Sequence, residues 1–519
     1  MKYYQNLDCD PRFSSESIFC QKIFSLLNLS DDKVEELLKP SQHVVHDAVL
    51  FDVVSFMKQS KKLMICGDYD CDGITSTTIA MILAKKLGVE AGYYIPNRID
   101  EGYGANKNTL KLAFEKGYDA VMMIDNGVKA LEAIHYAHEV GMKVCIVDHH
   151  TYDEAPPVDV FVHPDVLSPY CDTMCAAGLM YTICETNGYA DDYLLALGCI
   201  GTLGDVMPLW HKNREIVMEG LKALNKHQFL PLVSLLNTKN APIDAMMVSF
   251  QIVPKINAVG RMADMVNVNT MIPYLMADDE NLILNFCAQV NSVNTVRKNL
   301  GQDLKTIALD MIDESMPVNI ISDERFHEGL LGIVANQLTT LTGKPTMVFQ
   351  KVSEGYKGSA RSKTISLSEL FSKVNDAYFI AMGGHDFAYG MTIHDHQFEA
   401  FSHEVQSVAK TLESVKQDDA IVLMDEPLTK SMLESISKFE PYGPGFQLPL
   451  FAIECPDAVS VYPIGTSGFR FSFKNFWLKS AVYFNPSAKF DGDNMPKMLI
   501  GRFSIHSQYG LSFTVESVL

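Results

Sequence analysis

The chain has 519 residues, 47% of them hydrophobic, and a formal charge of −20 at pH 7. One hydrophobic core cannot serve that length, so about three domains of ordinary size are expected. The acidic balance excludes a broadly basic nucleic-acid surface, while leaving room for a local groove or an acidic pocket whose sign bound divalent cations reverse. No run of about eighteen apolar residues occurs, and the opening MKYYQNLDCD lacks the charged-then-apolar order of an export signal. Neither membrane insertion nor export is expected, and a cytoplasmic location follows. Eleven cysteines without framework spacing read as reduced core residues, and Cys171 with Cys175 lacks the second ligand pair of a structural zinc site.

From residue 61 to 148 short apolar runs alternate with amphipathic segments: LMIC, STTIAMILAKKLG, AVMMID, KALEAIHYAHEVG and KVCIVD. That rhythm predicts βαβ units and a mostly parallel sheet, in which ligands bind beyond the carboxyl ends of the strands. LMICGDYDCDGITSTT sets Asp68, Asp70 and Asp72 at alternate positions straight after the first strand. Three carboxylates that close repel one another unless cations neutralise them. A solvated turn is the plainer alternative. An EF-hand loop is disfavoured, because its twelfth position is Ile79 rather than Glu and a strand precedes it. VMMIDNG puts Asp125 at the tip of the next strand, ahead of two turn formers. VCIVDHH ends a third strand with Asp148, His149 and His150, enough for a metal ligand, its orienting partner and a group for proton transfer or phosphate contact. ALGCIGTLGDVMPL then delivers Asp205 at the end of a helical, small-residue stretch.

Residues 281–313 contain no Pro and have helical spacing, with Gly301 as the weak point. Residues 317–425, with glycine clusters at HEGLLG, KGSARS and GGHDFAYG, predict a smaller α/β domain. There, N–H groups around Gly383 and Gly384, with Ser359, Arg361 and His385, suit a phosphate cradle; the plainer reading is that the glycines permit tight turns. Arg98 and Arg261 lie beside acidic clusters and are candidates for a 5′ phosphate or the strand backbone. After FEPYGPGFQLPL the tail turns to short alternating stretches such as FRFSFKNFWLKSAVYF and LSFTVES, a β-rich module expected to form a small barrel. Phe469, Phe471, Phe473, Phe476 and Trp477 are candidates for base stacking, although alternating aromatics more often form core. GKPT at 343–346 lacks the upstream Gly of a phosphate loop, so no ATP use is expected.

Three strand ends on one sheet edge and a fourth carboxylate from the next helical segment converge on one chemistry. Hard oxygen ligands mixed with imidazole suit Mn2+ or Mg2+, and two such ions about 3.5–4 Å apart activate water for in-line attack on phosphorus. In this order and spacing the clusters resemble the DHH phosphoesterase superfamily, and within it the exonucleases that degrade single-stranded DNA from the 5′ end. Further motifs carry the resemblance: IPNRIDEGYG at 95–104, GDVMPLWHKNR at 204–214, PKINAVGRM at 254–262, HEGLLGIVA at 327–335, GSARS at 358–362, GGHDFAYG at 383–390 and FEPYGPG at 439–445.

The resemblance implies a parallel-sheet catalytic α/β domain at 1–285 with an N-terminal extension, a connecting helix at 286–314, a second, smaller α/β substrate-binding domain at 315–430, and an OB-like β-barrel at 431–519. It implies that Asp70 and Asp125 hold one divalent cation and that Asp72, Asp125, His149 and Asp205 hold the other, with Asp125 the bridge. Asp68 supports the same loop, and His150 contacts the scissile phosphate or assists proton transfer. Many relatives carry His where Cys66 stands here, which weakens the first cation site or makes Cys66 a thiolate ligand. The implied activity is 5′ to 3′ hydrolysis releasing mononucleotides in DNA repair or recombination. Single-stranded DNA is the implied substrate, a single-strand-binding protein or helicase the implied partner, and a monomer away from membranes the implied state. Two other readings are an oligonucleotide or cyclic dinucleotide phosphodiesterase and a replication scaffold without catalysis.

Overall fold

The computed structural model describes residues 2–519 except 100, 239–240, 415–419, 425, 457–458, 466–467, 485, 487–489, 491, 493–494 and 507–509. They form two compact units, one of residues 35–299 with 441–446 and one of residues 1–34, 300–440 and 447–519. Strand β1 (Lys2–Tyr4) belongs to the latter.

In the first unit β2 (Leu63–Cys66), β3 (Ala91–Tyr94), β4 (Ala120–Ile124), β5 (Lys143–Val147) and β6 (Val160–Val162) make one parallel sheet in the order β3-β2-β4-β5-β6. Every residue of β2 and β4 is buried, because crossover helices cover both faces. The pleat sorts these runs between two cores: Ile65, Met122 and Cys145 pack with one, and Met64, Val121 and Val144 with the other. The chain leaves β2 in one direction to reach β3 and in the other to reach β4. The strand order therefore reverses between β2 and β4, which opens a crevice at their carboxyl ends.

The helix Glu280–Leu309 runs through Gly301 without a break. In the second unit β7 (Asn319–Ser322), β8 (Thr346–Val352), β9 (Gly355–Arg361), β10 (Phe379–His385) and β11 (Ala388–His394) form a sheet in the order β10-β11-β9-β8-β7. Strands β12 (Ala420–Leu423), β13 (Leu450–Glu454), β14 (Val459–Ile464), β15 (Gly468–Phe473), β16 (Ser480–Tyr483), β17 (Met498–His506) and β18 (Gly510–Val518) join β1 in the order β1-β12-β13-β17-β18-β16-β15-β14.

The expected closed terminal barrel is corrected by this order, which leaves an open sheet among the described residues. β13 pairs with β12 on one side and β17 on the other, so neither of its edges remains to close on β14. Alternation encodes strands and faces, whereas closure depends on tilt and shear, which alternation does not encode. The tail aromatics behave largely as core: Phe471 and Phe473 are buried, and Phe473, Phe476, Trp477 and Phe503 follow one another at centroid spacings of 5.5, 5.3 and 5.8 Å. All eleven cysteines are free thiols, most of them buried. No described helix is long and apolar enough to cross a membrane.

Candidate functional site

The acidic loop is built by close approach. A Cβ on Gly67 would lie 1.9 Å from Thr77 Oγ1, and one on Gly73 would lie 2.5 Å from the Asp68 carbonyl oxygen, so only glycine lets the loop fold onto the start of helix Cys71–Leu87. Asp70 caps that helix, accepting the Gly73 N–H at 3.1 Å. Asp72, in the first turn, reaches across to the helix Ala176–Thr186, where its two oxygens accept the Ala176 and Ala177 N–H groups at 2.8 Å each. A carboxylate is thereby held at the positive end of a second helix. Gly201 leaves room for it, since a Cβ there would stand 2.9 Å from Asp72 Oδ1.

Next along the sheet edge, Asp125 follows β4 with a left-handed φ of +61°. Asn126 ties the strand ends together, donating to the carbonyls of Cys66 at 3.1 Å and Ile124 at 2.8 Å. After β5, Asp148 is fully buried and serves as an anchor. Its Oδ1 accepts from the N–H groups of His149 at 2.8 Å and His150 at 3.2 Å and lies 2.8 Å from His150 Nδ1, while Oδ2 accepts the Val128 N–H at 3.1 Å. His149 Nε2 faces three carboxylates at once: Asp125 Oδ1 at 3.2 Å, Asp205 Oδ2 at 3.5 Å and Asp72 Oδ2 at 3.8 Å. Asp205 stands at the C-cap of helix Asp192–Gly204.

Burial and mutual repulsion dominate the electrostatics. Burial, then the charge of Asp70, pushes Asp72 up to about 6 against the opposing Cys175 and helix N–H hydrogen bonds. Burial, then the charges of Asp72, Asp70 and Asp68, pushes Asp205 up to about 9. Asp68 and Asp125 are driven well above the carboxylate range by burial and by the neighbouring acids. Asp148 goes the other way: burial raises it, but the hydrogen bond and charge of His150 outweigh that and hold it low. His150 is raised in return, its partnership with Asp148 overcoming the cost of burial.

These residues fit divalent cations. Asp68 Oδ1 and Asp205 Oδ2 are buried without a hydrogen-bond partner, an expensive state unless something positive meets them. Potential ligand atoms come within 4.8 Å of one another in three groups: Asp68 with Asp70 and Asp125, Asp72 with His149 and Asp205, and Asp125 with His149 and His150. Cys66 joins none of them. It is buried in the sheet, and burial pushes its thiol up to about 12.

Of the other expected residues, Arg98 lies over the Tyr69 ring, 4.8 Å from its centroid, and Arg261 ends the helix Val253–Arg261 in the same unit. That helix packs on the acidic loop: Asn257 Oδ1 accepts the Cys71 N–H at 2.7 Å, and a Cβ on Gly260 would fall 2.0 Å from the Tyr69 carbonyl oxygen. Ser359, Arg361, Gly383, Gly384 and His385 belong to the second unit. Ser359 pairs through Gly390 with Gly383, and Arg361 through Ala388 with His385, so these four positions share one face of that sheet. Gly332, near the start of helix Leu331–Thr342, approaches the same face; a Cβ there would lie 2.7 Å from Arg361 Nη2. Gly384 and its partner Tyr389 face the other side, where the Tyr389 ring packs 5.0 Å from Phe371.

Sequence reading missed three residues that hold the site. Asn126 reads in the sequence only as a turn former, and Asn257 only as part of a motif. His163 carries no sequence signal: its Nδ1 accepts the Asp165 N–H, so its Nε2 donates to the His150 carbonyl at 3.1 Å. Two of the motifs that carry the resemblance, GDVMPLWHKNR and FEPYGPG, are tied to each other by hydrogen bonds. In the first unit Leu209 N–H, Trp210 Nε1 and Arg214 Nη1 donate to the carbonyls of Pro444, Gly445 and Pro441.

A model of the DHH family, N-terminal domain, matches residues 62–202, and a model of the DHHA1 domain matches residues 313–424. The single-stranded-DNA-specific exonuclease RecJ of Bacillus subtilis (strain 168) is 29% identical over 409 residues, 75% of this chain and 51% of that protein. RecJ of Haemophilus influenzae is 28% identical over 463 residues, 81% of this chain and 80% of that protein. The crystal structure of RecJ in complex with Mn2+ from Thermus thermophilus shares the fold with a TM-score of 0.80 at 22% identity, covering 100% of this chain and 79% of that one. The chain thus spans about half the length of the Bacillus relative. The chain carries a DHH family N-terminal domain followed by a DHHA1 domain, and it is similar to RecJ exonucleases along three quarters or more of its length.

Proposed function

We infer that the chain is a metal-dependent exonuclease that hydrolyses phosphodiester bonds of single-stranded DNA in the 5′ to 3′ direction and releases mononucleotides, in DNA repair or recombination. The observation that carries the reading is the convergence of Asp68, Asp70, Asp72, Asp125, His149 and Asp205 at the switch point, with buried oxygens of Asp68 and Asp205 that accept no hydrogen bond. Asp68, Asp70 and Asp125 would hold one cation, and Asp72, Asp125, His149 and Asp205 the other, Mn2+ ahead of Mg2+ because an imidazole is among the donors. Bound there, such ions activate water and neutralise charge on phosphorus.

This chain's residues supply the rest. Asp148 fixes the ring plane of His150 and raises its proton affinity, which suits the imidazole to meet a phosphate oxygen or to pass a proton to a leaving group. Arg98 offers a cation beside the acidic loop, held by the Tyr69 ring. Ser359, Arg361, Gly383 and His385, on one sheet face, bind phosphates of the strand, with the positive guanidinium and a helix N-terminus anchoring the anion. The terminal sheet binds further along the strand.

The test is hydrolysis of end-labelled single strands with Mn2+ and with Mg2+, beside an Asp125→Ala protein prepared identically. Mononucleotide release from the 5′ end that disappears in the variant is expected; full turnover by the variant, or degradation from the 3′ end, would refute the assignment. A substrate-length series separates this activity from a dinucleotide phosphodiesterase, which would work fastest on the shortest substrates.

A further inference from the structure

Between β3 and the next helix, Asn97 and residues 101–104 are braced by hydrogen bonds. Glu101 accepts from the Tyr94 hydroxyl at 2.6 Å and from the Asn97 N–H at 2.8 Å, and its own N–H donates to the Asn97 carbonyl at 2.9 Å. Gly102 and Gly104 then take left-handed φ values of +81° and +70°, which carry the chain through a tight reversal with Tyr103 at its tip. Gly104 settles against Asn126, where a Cβ would stand 3.0 Å from the Asn126 Cβ. The Tyr103 ring is half exposed, but its hydroxyl points inward. It donates to the carbonyl of Asp125 at 2.6 Å, and its oxygen lies 3.2 and 3.4 Å from the two ring nitrogens of His150. The rings of Tyr103 and His150 meet edge to face with centroids 5.6 Å apart.

Asp125 is the carboxylate common to two of the three ligand groups, and its backbone is left-handed although it carries a side chain. Such a conformation persists only where surrounding contacts over-determine it. The geometry points to Tyr103 as a positioning residue of the proposed hydrolysis. Its hydroxyl holds the Asp125 carbonyl and so fixes where the shared carboxylate aims, and the same oxygen and ring set the plane of His150. One side chain thus couples the metal-binding acid to the phosphate-facing imidazole, and the two flanking glycines exist to place it. This role rests on the phosphodiesterase reading.

Tyr103→Phe keeps the ring and removes only the hydroxyl; Tyr103→Leu removes both. Small misplacements of reacting groups cost up to about a hundredfold in rate, so kcat of Tyr103→Phe should fall about ten- to hundredfold while KM for a single strand changes little. Mn2+ binding followed by calorimetry without substrate should weaken severalfold in Tyr103→Phe, and Tyr103→Leu should match it in kcat. If Tyr103→Phe kept wild-type kcat and Mn2+ affinity, or if only Tyr103→Leu lost activity and did so through KM, the ring would be a base-contacting surface and the positioning role would be wrong. If the wild-type chain bound no Mn2+ and cut no strand, the hydrolytic reading would itself fall and take this role with it.

Discussion

Asp205→Asn should make the metal-free protein more stable at alkaline pH while destroying part of its metal site. The folded chain holds Asp205 protonated up to about 9, whereas an unfolded aspartate ionises near 3.8. Between those values the folded state binds about one more proton at this site than the unfolded state, so stability falls as pH rises, by about 1.4 kcal/mol per pH unit. From pH 5 to pH 8 the loss from this group is therefore at most about 4 kcal/mol, and Asn, which never ionises, escapes it. A kilocalorie shifts the melting point of a unit this size by about 2 °C. In chelator, wild type and variant should melt close together at pH 5, and the variant should melt up to about 8 °C higher at pH 8. Saturating Mn2+ should reverse the order at pH 8, because cation binding drives the proton off Asp205 in the wild type and has no carboxylate to meet in the variant. Differential scanning fluorimetry at both pH values reads all four cases. A wild type that gained on its Asn variant between pH 5 and pH 8 in chelator would show that Asp205 is not held protonated and that the acids do not crowd as described.

Asp148→Asn should leave Mn2+ binding intact and lower kcat about 10- to 100-fold. It should also move the alkaline limb of the rate profile to lower pH, since Asp148 is what raises His150; an unmoved limb would separate the two residues. Gly260→Ala should cost about 1–3 kcal/mol and loosen the acidic loop, because its Cβ would meet the Tyr69 carbonyl at 2.0 Å and backbone must shift; thermal melting and Mn2+ titration report it, and an unchanged melting point would contradict the packing. Cys66→Ala should bind Mn2+ within about twofold of wild type, because Cys66 joins none of the ligand groups, and native Cys66 should resist alkylation, because its buried thiol is pushed up to about 12. A large loss of Mn2+ affinity would restore Cys66 as a ligand.

The sequence by itself placed the acids. Apolar runs ending in GDYDCDG, DNG and DHH read as strands with acids at their carboxyl ends, because buried runs of this length suit a parallel sheet and polar groups are expelled to its edge. Asp205 was legible only as one more carboxylate at a helix end, and its partners were not legible at all. Which oxygen is left without a hydrogen-bond partner, that Asp72 caps a distant helix, and that Asp148 anchors His150 and the Val128 N–H all depend on how segments far apart in the chain meet. The same limit applied to the tail: alternation gave strands and buried aromatics, but whether the sheet closes is a property of pairing across the whole module. Tyr103 shows the division most clearly. Its two glycines mark a turn in the sequence, yet only the folded chain puts its hydroxyl on Asp125 and His150, since strand order, not local propensity, makes those residues neighbours.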